Sequence, residues 1–116
     1  MKFRSEQAFL NAVVDLARMS GWLVHHDREK QNVQGHAGFP DLVLVGKGRV
    51  LFRELKMSDK VRVQGAQSAW AGALINNHGD WETWRPGDWN DIVEILTGRR
   101  PVAEVVARDG VSEYVR

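Results

Sequence analysis

The residues of this chain whose types and spacing could do chemistry are two acids and a lysine. Asp41 follows Pro40 directly, twelve residues separate it from Glu54, and Lys56 lies two positions further on. Carboxylate oxygens suit Mg²⁺ or Mn²⁺, and water bound to such an ion can serve as a nucleophile. An adjacent ammonium group can orient that water or stabilise charge that develops at phosphorus. Spacing alone also allows a surface Glu–Lys pair beside an acid in a turn, because short patterns of these residues often arise by chance.

The elements around this cluster decide whether its members can meet. Residues 41–45 (DLVLV) form a continuous apolar run, which predicts a central strand covered on both faces. Residues 46–48 (GKG) predict a hairpin turn, and the alternation in residues 49–56 predicts the partner strand. The short hairpin should bring Asp41 and the end of the partner strand to the same edge of the sheet. Two carboxylates and one ammonium would then converge there.

Alternation also predicts which side chains of the partner strand share a face. Two apolar residues and then a charged pair fall on one face: Val50, Phe52, Glu54 and Lys56. Partial burial of the charged pair is unfavourable without a role, because mutual attraction offsets the lost hydration only in part. This favours a functional interpretation of Glu54 and Lys56.

Helical and strand patterns alternate through the rest of the chain. Helices are predicted over residues 5–20, 63–77 and 89–96, and further strands over residues 22–26 and 81–85. Ser5 and Asp88 are the predicted N-caps of the first and third helices. The inner stripe of the second helix is predicted to consist of Ala66, Trp70, Ala73 and Leu74. The order α-β-β-β-α-β-α, with an antiparallel hairpin inside it, predicts an α/β sandwich with a mixed sheet.

Composition narrows the class of protein. The 116 residues suit a single domain, which we expect to have its core over residues 5–96 and a tail over residues 97–116 as a candidate dimerisation segment. The absence of cysteine excludes a disulfide scaffold, a thiolate zinc site and a cysteine nucleophile. No apolar run approaches the roughly 20 residues of a membrane helix, and no signal peptide is recognisable, so we expect a cytoplasmic protein without a membrane partner.

Charge is nearly balanced overall, at +1, but it is uneven along the chain. Between residues 47 and 62, six basic residues stand against the acids Glu54 and Asp59. The six are Lys47, Arg49, Arg53, Lys56, Lys60 and Arg62. A basic zone around carboxylates would hold a polyanion beside a cation, and its phosphate contacts would be salt-dependent and independent of sequence. A merely solvated basic face is the alternative.

Five motifs lie in a fixed order over residues 5–96. They are Glu6 in the first helix, Gly38-Phe39-Pro40-Asp41-Leu42, Glu54-Leu55-Lys56, Gln67 three residues before Trp70, and Trp84-Arg85-Pro86 followed by Asp88-Trp89. Together they resemble the PD-(D/E)xK nuclease superfamily and, within it, the virus-type replication-repair nuclease (VRR-NUC) domain. The sequence departs from that pattern at residues 63–65 (VQG), where family members often begin the helix with Ser-Pro.

The resemblance implies a restriction-endonuclease-like α-β-β-β-α-β core, with a mixed central sheet flanked by helices, and a metal-dependent nuclease site. Asp41 and Glu54 would ligate Mg²⁺ or Mn²⁺ together with the backbone carbonyl of Leu55. Lys56 would act on the nucleophile or on the charge of the transition state. The basic residues Lys47, Arg49, Arg53, Lys60 and Arg62 would contact DNA.

The resemblance also implies two catalytic contributions from the helices. Glu6 would approach the metal directly or through water, and Gln67 would line the site. Each has an ordinary alternative, since the helix dipole favours a first-turn acid and an exposed helix position favours a polar side chain. Trp70, Trp84 and Trp89 fall within the family-like pattern, so we assign them to packing rather than to base stacking.

We therefore expect a Mg²⁺- or Mn²⁺-dependent endonuclease that hydrolyses DNA phosphodiester bonds. The resemblance implies selectivity for branched DNA or Holliday junctions, a role in DNA repair, and a homodimer, because a small domain would grip two duplexes through a two-fold partner. The compact form suggests a phage or mobile-element origin, with action in the host cytoplasm. Three alternatives stay open: a duplex-specific restriction or recombination nuclease of the same fold, a catalytically silent nucleic-acid-binding module, and an unrelated α/β domain in which the cluster is coincidental.

Overall fold

The computed structural model describes residues 2–26, 38–58 and 65–99, with side chains in the second helix described from residue 69 onward. Helices α1, α2 and α3 span Glu6–Met19, Gly65–Asn76 and Trp89–Thr97. Strands β1, β2, β3 and β4 span Leu23–His26, Leu42–Gly46, Arg49–Leu55 and Asp80–Trp84, and a short 3-10 turn at Pro86–Asp88 precedes α3. The predicted elements are thus all present, with ends shifted by a residue or two.

The four strands form one sheet in the order β1-β2-β3-β4. Both β1–β2 and β2–β3 are antiparallel, whereas β3 and β4 are parallel, so the sheet is mixed as predicted. Lys47 and Gly48 close the β2–β3 hairpin with positive φ angles of 49° and 76°. Two consecutive left-handed residues are the conformation that a two-residue hairpin turn requires, and glycine adopts it at little steric cost.

One face of the sheet carries the hydrophobic core. Helix α1 begins at its predicted cap, where the Ser5 hydroxyl accepts a hydrogen bond of 3.1 Å from the Ala8 N–H. Its buried residues pack with α3 against the inward side chains of β2 and β3. The members of this core are Phe9, Val13, Val14, Ala17, Trp22, Leu42, Leu44, Leu51, Leu55, Trp84, Ile92, Ile95 and Leu96. The Trp22 Nε1–H also donates to the Leu96 carbonyl at 2.8 Å, which fixes β1 to the end of α3.

The opposite face of the sheet is only partly covered, which corrects the expectation of two buried faces for residues 41–45. Leu23 pairs with Val45, and Val45 pairs with Val50, so these three side chains form one row across the sheet. Their exposed fractions are 74%, 42% and 46%. We call them the apolar row. A continuous apolar run cannot reveal by itself whether a second layer covers the outer face.

Asp88 is the N-cap residue of α3, as predicted, but its side chain makes no hydrogen bond to the helix; its Oδ2 instead accepts a hydrogen bond of 2.9 Å from the Arg85 N–H. One local prediction is wrong. In α2, Ala73 is exposed and Ala71 is buried, so the inner stripe is rotated from the predicted one. Residues 27–37, 59–64 and 100–116, which include most of two predicted loops and of the tail, lie outside the described residues. No described helix is long and apolar enough to span a bilayer.

Candidate functional site

Asp41 and the end of β3 meet at one edge of the sheet. The residue lies directly before β2, and the pairing of Leu42 with Arg53 places it level with Glu54 on the neighbouring strand. Its Oδ2 accepts a hydrogen bond of 2.8 Å from the Leu55 N–H. Because β2 begins only at Leu42, no β2 backbone carbonyl pairs with the Leu55 N–H, and the Asp41 carboxylate accepts that hydrogen bond instead. The prediction that the hairpin brings Asp41 and the end of β3 to the same edge of the sheet is confirmed.

Glu54 and Lys56 lie on the face of β3 that points away from the core. On either side of Glu54, Arg53 and Leu55 point into the core on the opposite face of the sheet. Glu54 is nevertheless only 2% exposed. Its Oε2 lies 3.6 Å from Lys56 Nζ, and the Lys56 side chain is 13% exposed. A carboxylate this deeply buried is costly unless it is paired or holds a cation. The ordinary surface-pair interpretation does not fit such burial.

The backbone of β3 contributes a further oxygen on the same side. The Leu55 N–H points to Asp41, while the Lys56 N–H donates in the other direction, to the Trp84 carbonyl at 3.1 Å. Because the N–H and C=O of one strand residue point to the same side, the Leu55 carbonyl faces the Asp41 edge. Two carboxylates and one carbonyl are a donor set that suits a hard divalent cation with several retained waters. These residues therefore fit the predicted metal.

No family model matches the sequence, and no curated protein matches it. Among solved structures, one described as a VRR_NUC domain protein matches with a TM-score of 0.62 and 17% identity. The match covers 84% of this chain and 89% of that chain. This chain has the fold of a VRR_NUC domain protein. The predicted restriction-endonuclease-like α/β class is confirmed.

The VRR_NUC fold does not bring every predicted catalytic residue into the cluster. Glu6 is the first residue of α1 and is exposed. Within residues 2–26, 38–58 and 65–99, no three His, Cys, Asp or Glu side chains are grouped to hold a metal, so Glu6 does not join Asp41 and Glu54 in one acidic group. Gln67 lies in α2 three residues before Trp70, and its side chain lies outside the described atoms.

Among the described residues, the predicted basic zone does not surround the carboxylates. Lys47 and Arg49 lie at the hairpin turn, at the opposite end of β2 from Asp41. At about 3.4 Å per residue, that end is roughly 17–20 Å from the cluster. The Lys47 ammonium donates to the Ser20 carbonyl at 3.0 Å, just beyond α1, where the helix dipole favours a cation. Lys60 and Arg62 lie outside the described residues.

Arg53 is fully buried, which corrects its expected place on a DNA-binding surface. Its Nη1 donates to the Asp80 carbonyl at 2.6 Å, and its Nη2 lies 3.1 Å from the Asp80 carboxylate. The guanidinium carbon is 4.9 Å from the centroid of the Trp84 ring. These contacts join β4 to β3 beside Glu54. The alternation that places Glu54 on the outer face places Arg53 on the inner one, so only part of the basic charge counted along β3 reaches the outer face.

Arg85 lies at the same edge of the sheet as Asp41 and Glu54. The sequence motif contained this residue, but no role was predicted for it. It follows β4 directly, and because β4 runs parallel to β3, both strands end at the same edge. Its Nε donates to the Ser58 carbonyl at 3.1 Å. This contact ties the segment after Lys56 to the segment after β4. The strand order and direction that bring Arg85 there could not be read from the sequence.

Phe39, two residues before Asp41, forms an aromatic contact with Trp70 of α2. Their ring centroids are 4.9 Å apart and the rings are nearly perpendicular, at 88°. Both side chains are half-buried, whereas Trp22 and Trp84 are buried in the core. Packing is thus the right assignment for Trp84, and Trp89 packs on the core from a half-buried position. Trp70 packs against Phe39 and keeps part of its surface exposed.

Proposed function

We propose that this protein is a Mg²⁺- or Mn²⁺-dependent nuclease that hydrolyses DNA phosphodiester bonds. The observation that carries the proposal is the buried Glu54 carboxylate beside Asp41, on the strand end whose Leu55 N–H binds the Asp41 carboxylate. The VRR_NUC fold supports a nuclease-type domain. Asp41, Glu54 and the Leu55 carbonyl would hold the ion. When bound there, a divalent cation would stabilise phosphoryl charge and lower the pKa of a coordinated water.

Lys56 would stabilise the negative charge that develops on the scissile phosphate. Its Nζ is held 3.6 Å from the Glu54 carboxylate, and its side chain is almost enclosed. In a site from which water is largely excluded, a fixed ammonium stabilises a phosphoryl transition state more strongly than a solvated one. Glu6 would contribute through water, and Gln67 would line the site from α2.

Branched or junction DNA is the substrate that we propose, with phosphate contacts spread along the sheet. Lys47 and Arg49 lie roughly 17–20 Å from Asp41, and a duplex rises about 3.4 Å per base pair. They would therefore meet a bound duplex about five or six base pairs from the cut. Lys60 and Arg62 would add phosphate contacts after β3.

The partner that we propose for the apolar row is a second copy of this chain. Leu23, Val45 and Val50 present three adjacent apolar side chains on a part of the sheet that the described helices leave exposed. Contact between two such rows through a two-fold axis would bury both and would place two cleavage sites in one particle. A junction offers two strands to cut, so this arrangement matches the proposed substrate.

A cleavage assay tests the proposal. Purified protein is incubated with a four-way junction, a matched linear duplex and a supercoiled plasmid, each with Mg²⁺, with Mn²⁺ or with EDTA. We expect metal-dependent cleavage that is fastest on the junction and that falls by about 10²–10³-fold in Asp41→Asn and Lys56→Ala. Asp15→Asn, an exposed acid on α1, is the matched control and should cleave as the wild type does.

Each of the other outcomes has a clear meaning. Absence of cleavage with either metal would overturn the proposal. Equal rates on junction and duplex would favour the duplex-specific nuclease, whereas tight DNA binding without turnover would favour the silent binding module. Unchanged cleavage in Asp41→Asn would remove the metal site from the mechanism.

A further inference from the structure

We propose that Phe39 and Trp70 form a stacking site for an unpaired DNA base beside the cleavage centre. The inference rests on the proposed nuclease function and names the feature of the substrate that the site recognises. The position of Phe39 in the chain is the first observation that supports it. Phe39 lies two residues before Asp41, so their Cα atoms are at most about 7 Å apart, and the intervening Pro40 is buried.

The second ring comes from a different element on the same side. Trp70 lies on α2, one helical turn beyond Gln67, so the two positions share a face of the helix. The Phe39 and Trp70 rings meet edge to face at 4.9 Å, and each keeps part of its surface in water. An aromatic pair in this geometry leaves ring faces available to a third planar group.

Ordinary core packing does not account for this pair as well as it accounts for the other aromatic contacts. The hydrophobic core and the half-buried residues that pack on it include Phe3 and Trp89, but not Phe39 or Trp70. Phe3 and Trp89 make a similar edge contact, at 5.2 Å and 67°. The described part of the chain therefore has two edge-to-face pairs, one packed on the core and one whose Phe39 lies two residues before Asp41.

The closeness of Phe39 to Asp41 in the chain selects the class of ligand. Because two residues span at most about 7 Å between Cα atoms, a base stacked on this pair would belong to a nucleotide near the scissile bond. In an intact duplex both faces of that base are covered by its neighbours, whereas at a junction, flap or frayed end one face becomes available. Base–aromatic stacking of this kind strengthens binding by about 5- to 150-fold per base and tolerates any sequence. The site would therefore select DNA structure without reading sequence.

The test compares two DNAs that differ only in one unpaired nucleotide next to the cut, with 2-aminopurine at that position. Binding is measured by fluorescence anisotropy in Ca²⁺, and stacking by quenching of 2-aminopurine emission. We expect wild-type protein to quench the unpaired base. We expect Trp70→Leu to lose quenching and about 5- to 150-fold in affinity for that DNA, with affinity for the continuous duplex changed less than twofold. Phe39→Leu should act in the same direction, and Trp70→Phe should retain most of the effect.

Trp89→Leu is the matched control, because it removes the other edge-to-face partner. All variants are assayed well below the lowest melting temperature of the set, so that a loss of stability does not enter the comparison. Trp89→Leu should leave the affinity ratio of the two DNAs unchanged. An equal loss on both DNAs in Trp70→Leu and Trp70→Phe, or no quenching by the wild type, would overturn the inference. Neither readout needs turnover, so failure of the nuclease proposal would be seen separately, as absence of cleavage by the wild type.

Discussion

Two substitutions at Asp41 separate its structural role from its proposed metal role. The carboxylate accepts a 2.8 Å hydrogen bond from the Leu55 N–H at a half-buried position. Asp41→Asn keeps an oxygen that can accept this bond, so we expect the free energy of unfolding to fall by less than about 1 kcal/mol. Asp41→Ala leaves the Leu55 N–H without its acceptor, and we expect a loss of about 1–3 kcal/mol. For a domain of this size, that corresponds to a melting temperature lower by about 4–20 °C.

Asp41→Asn should affect metal binding strongly, although it affects the stability of the metal-free protein only weakly. At Mn²⁺ concentrations near 100 times the dissociation constant, ligand binding stabilises the wild type by about 2.7 kcal/mol. Asp41→Asn should lose this Mn²⁺-dependent stabilisation while keeping the stability of the metal-free protein. Urea unfolding with and without Mn²⁺, together with calorimetric titration, measures both quantities. The reasoning would be refuted if Asp41→Asn kept wild-type Mn²⁺ affinity, or if it unfolded as easily as Asp41→Ala.

Three further predictions follow from other contacts. Lys56→Ala should abolish most cleavage yet retain Mn²⁺ binding by calorimetry; a parallel loss of metal affinity would show that Lys56 acts by positioning the Glu54 carboxylate rather than on phosphate charge. Arg53→Met should lower the free energy of unfolding by about 3 kcal/mol in urea titrations, the lower end for a broken buried ion pair, because Asp80 keeps 27% of its side chain exposed; a loss below about 1 kcal/mol would contradict the joining role of Arg53. Val45→Glu should convert the proposed dimer to a monomer in light-scattering measurements, whereas Met19→Glu, at an 85% exposed position on α1, should not; a Val45→Glu protein that stays dimeric would place the interface elsewhere.

The local sequence pattern was sufficient to predict the helices and strands and the cluster of Asp41, Glu54 and Lys56. The GKG turn between two apolar strands predicted the β2–β3 hairpin, and the hairpin by itself brings Asp41 beside Leu55. Period-two alternation predicted that Glu54 and Lys56 share a face, and their 3.6 Å separation agrees. These inferences needed only contacts between residues near each other along the chain.

The errors come from features that depend on the whole fold. Counting basic residues along the chain placed Lys47 near the carboxylates, although the hairpin carries it to the far end of the strands. The same count included Arg53, whose side chain points into the core. The apolar row is exposed because none of the described elements covers it, and no strand pattern reports such a feature. Arg85 reaches the site edge only because β4 joins the sheet parallel to β3.

The most direct test of the account is an anomalous difference map from a crystal of the protein grown with Mn²⁺. The account predicts a single strong peak within coordination distance of the Asp41 carboxylate, the Glu54 carboxylate and the Leu55 carbonyl, with Lys56 beside it. A map with no peak at this edge of the sheet, or with Mn²⁺ bound only elsewhere, would contradict the claim that these three groups form the metal site.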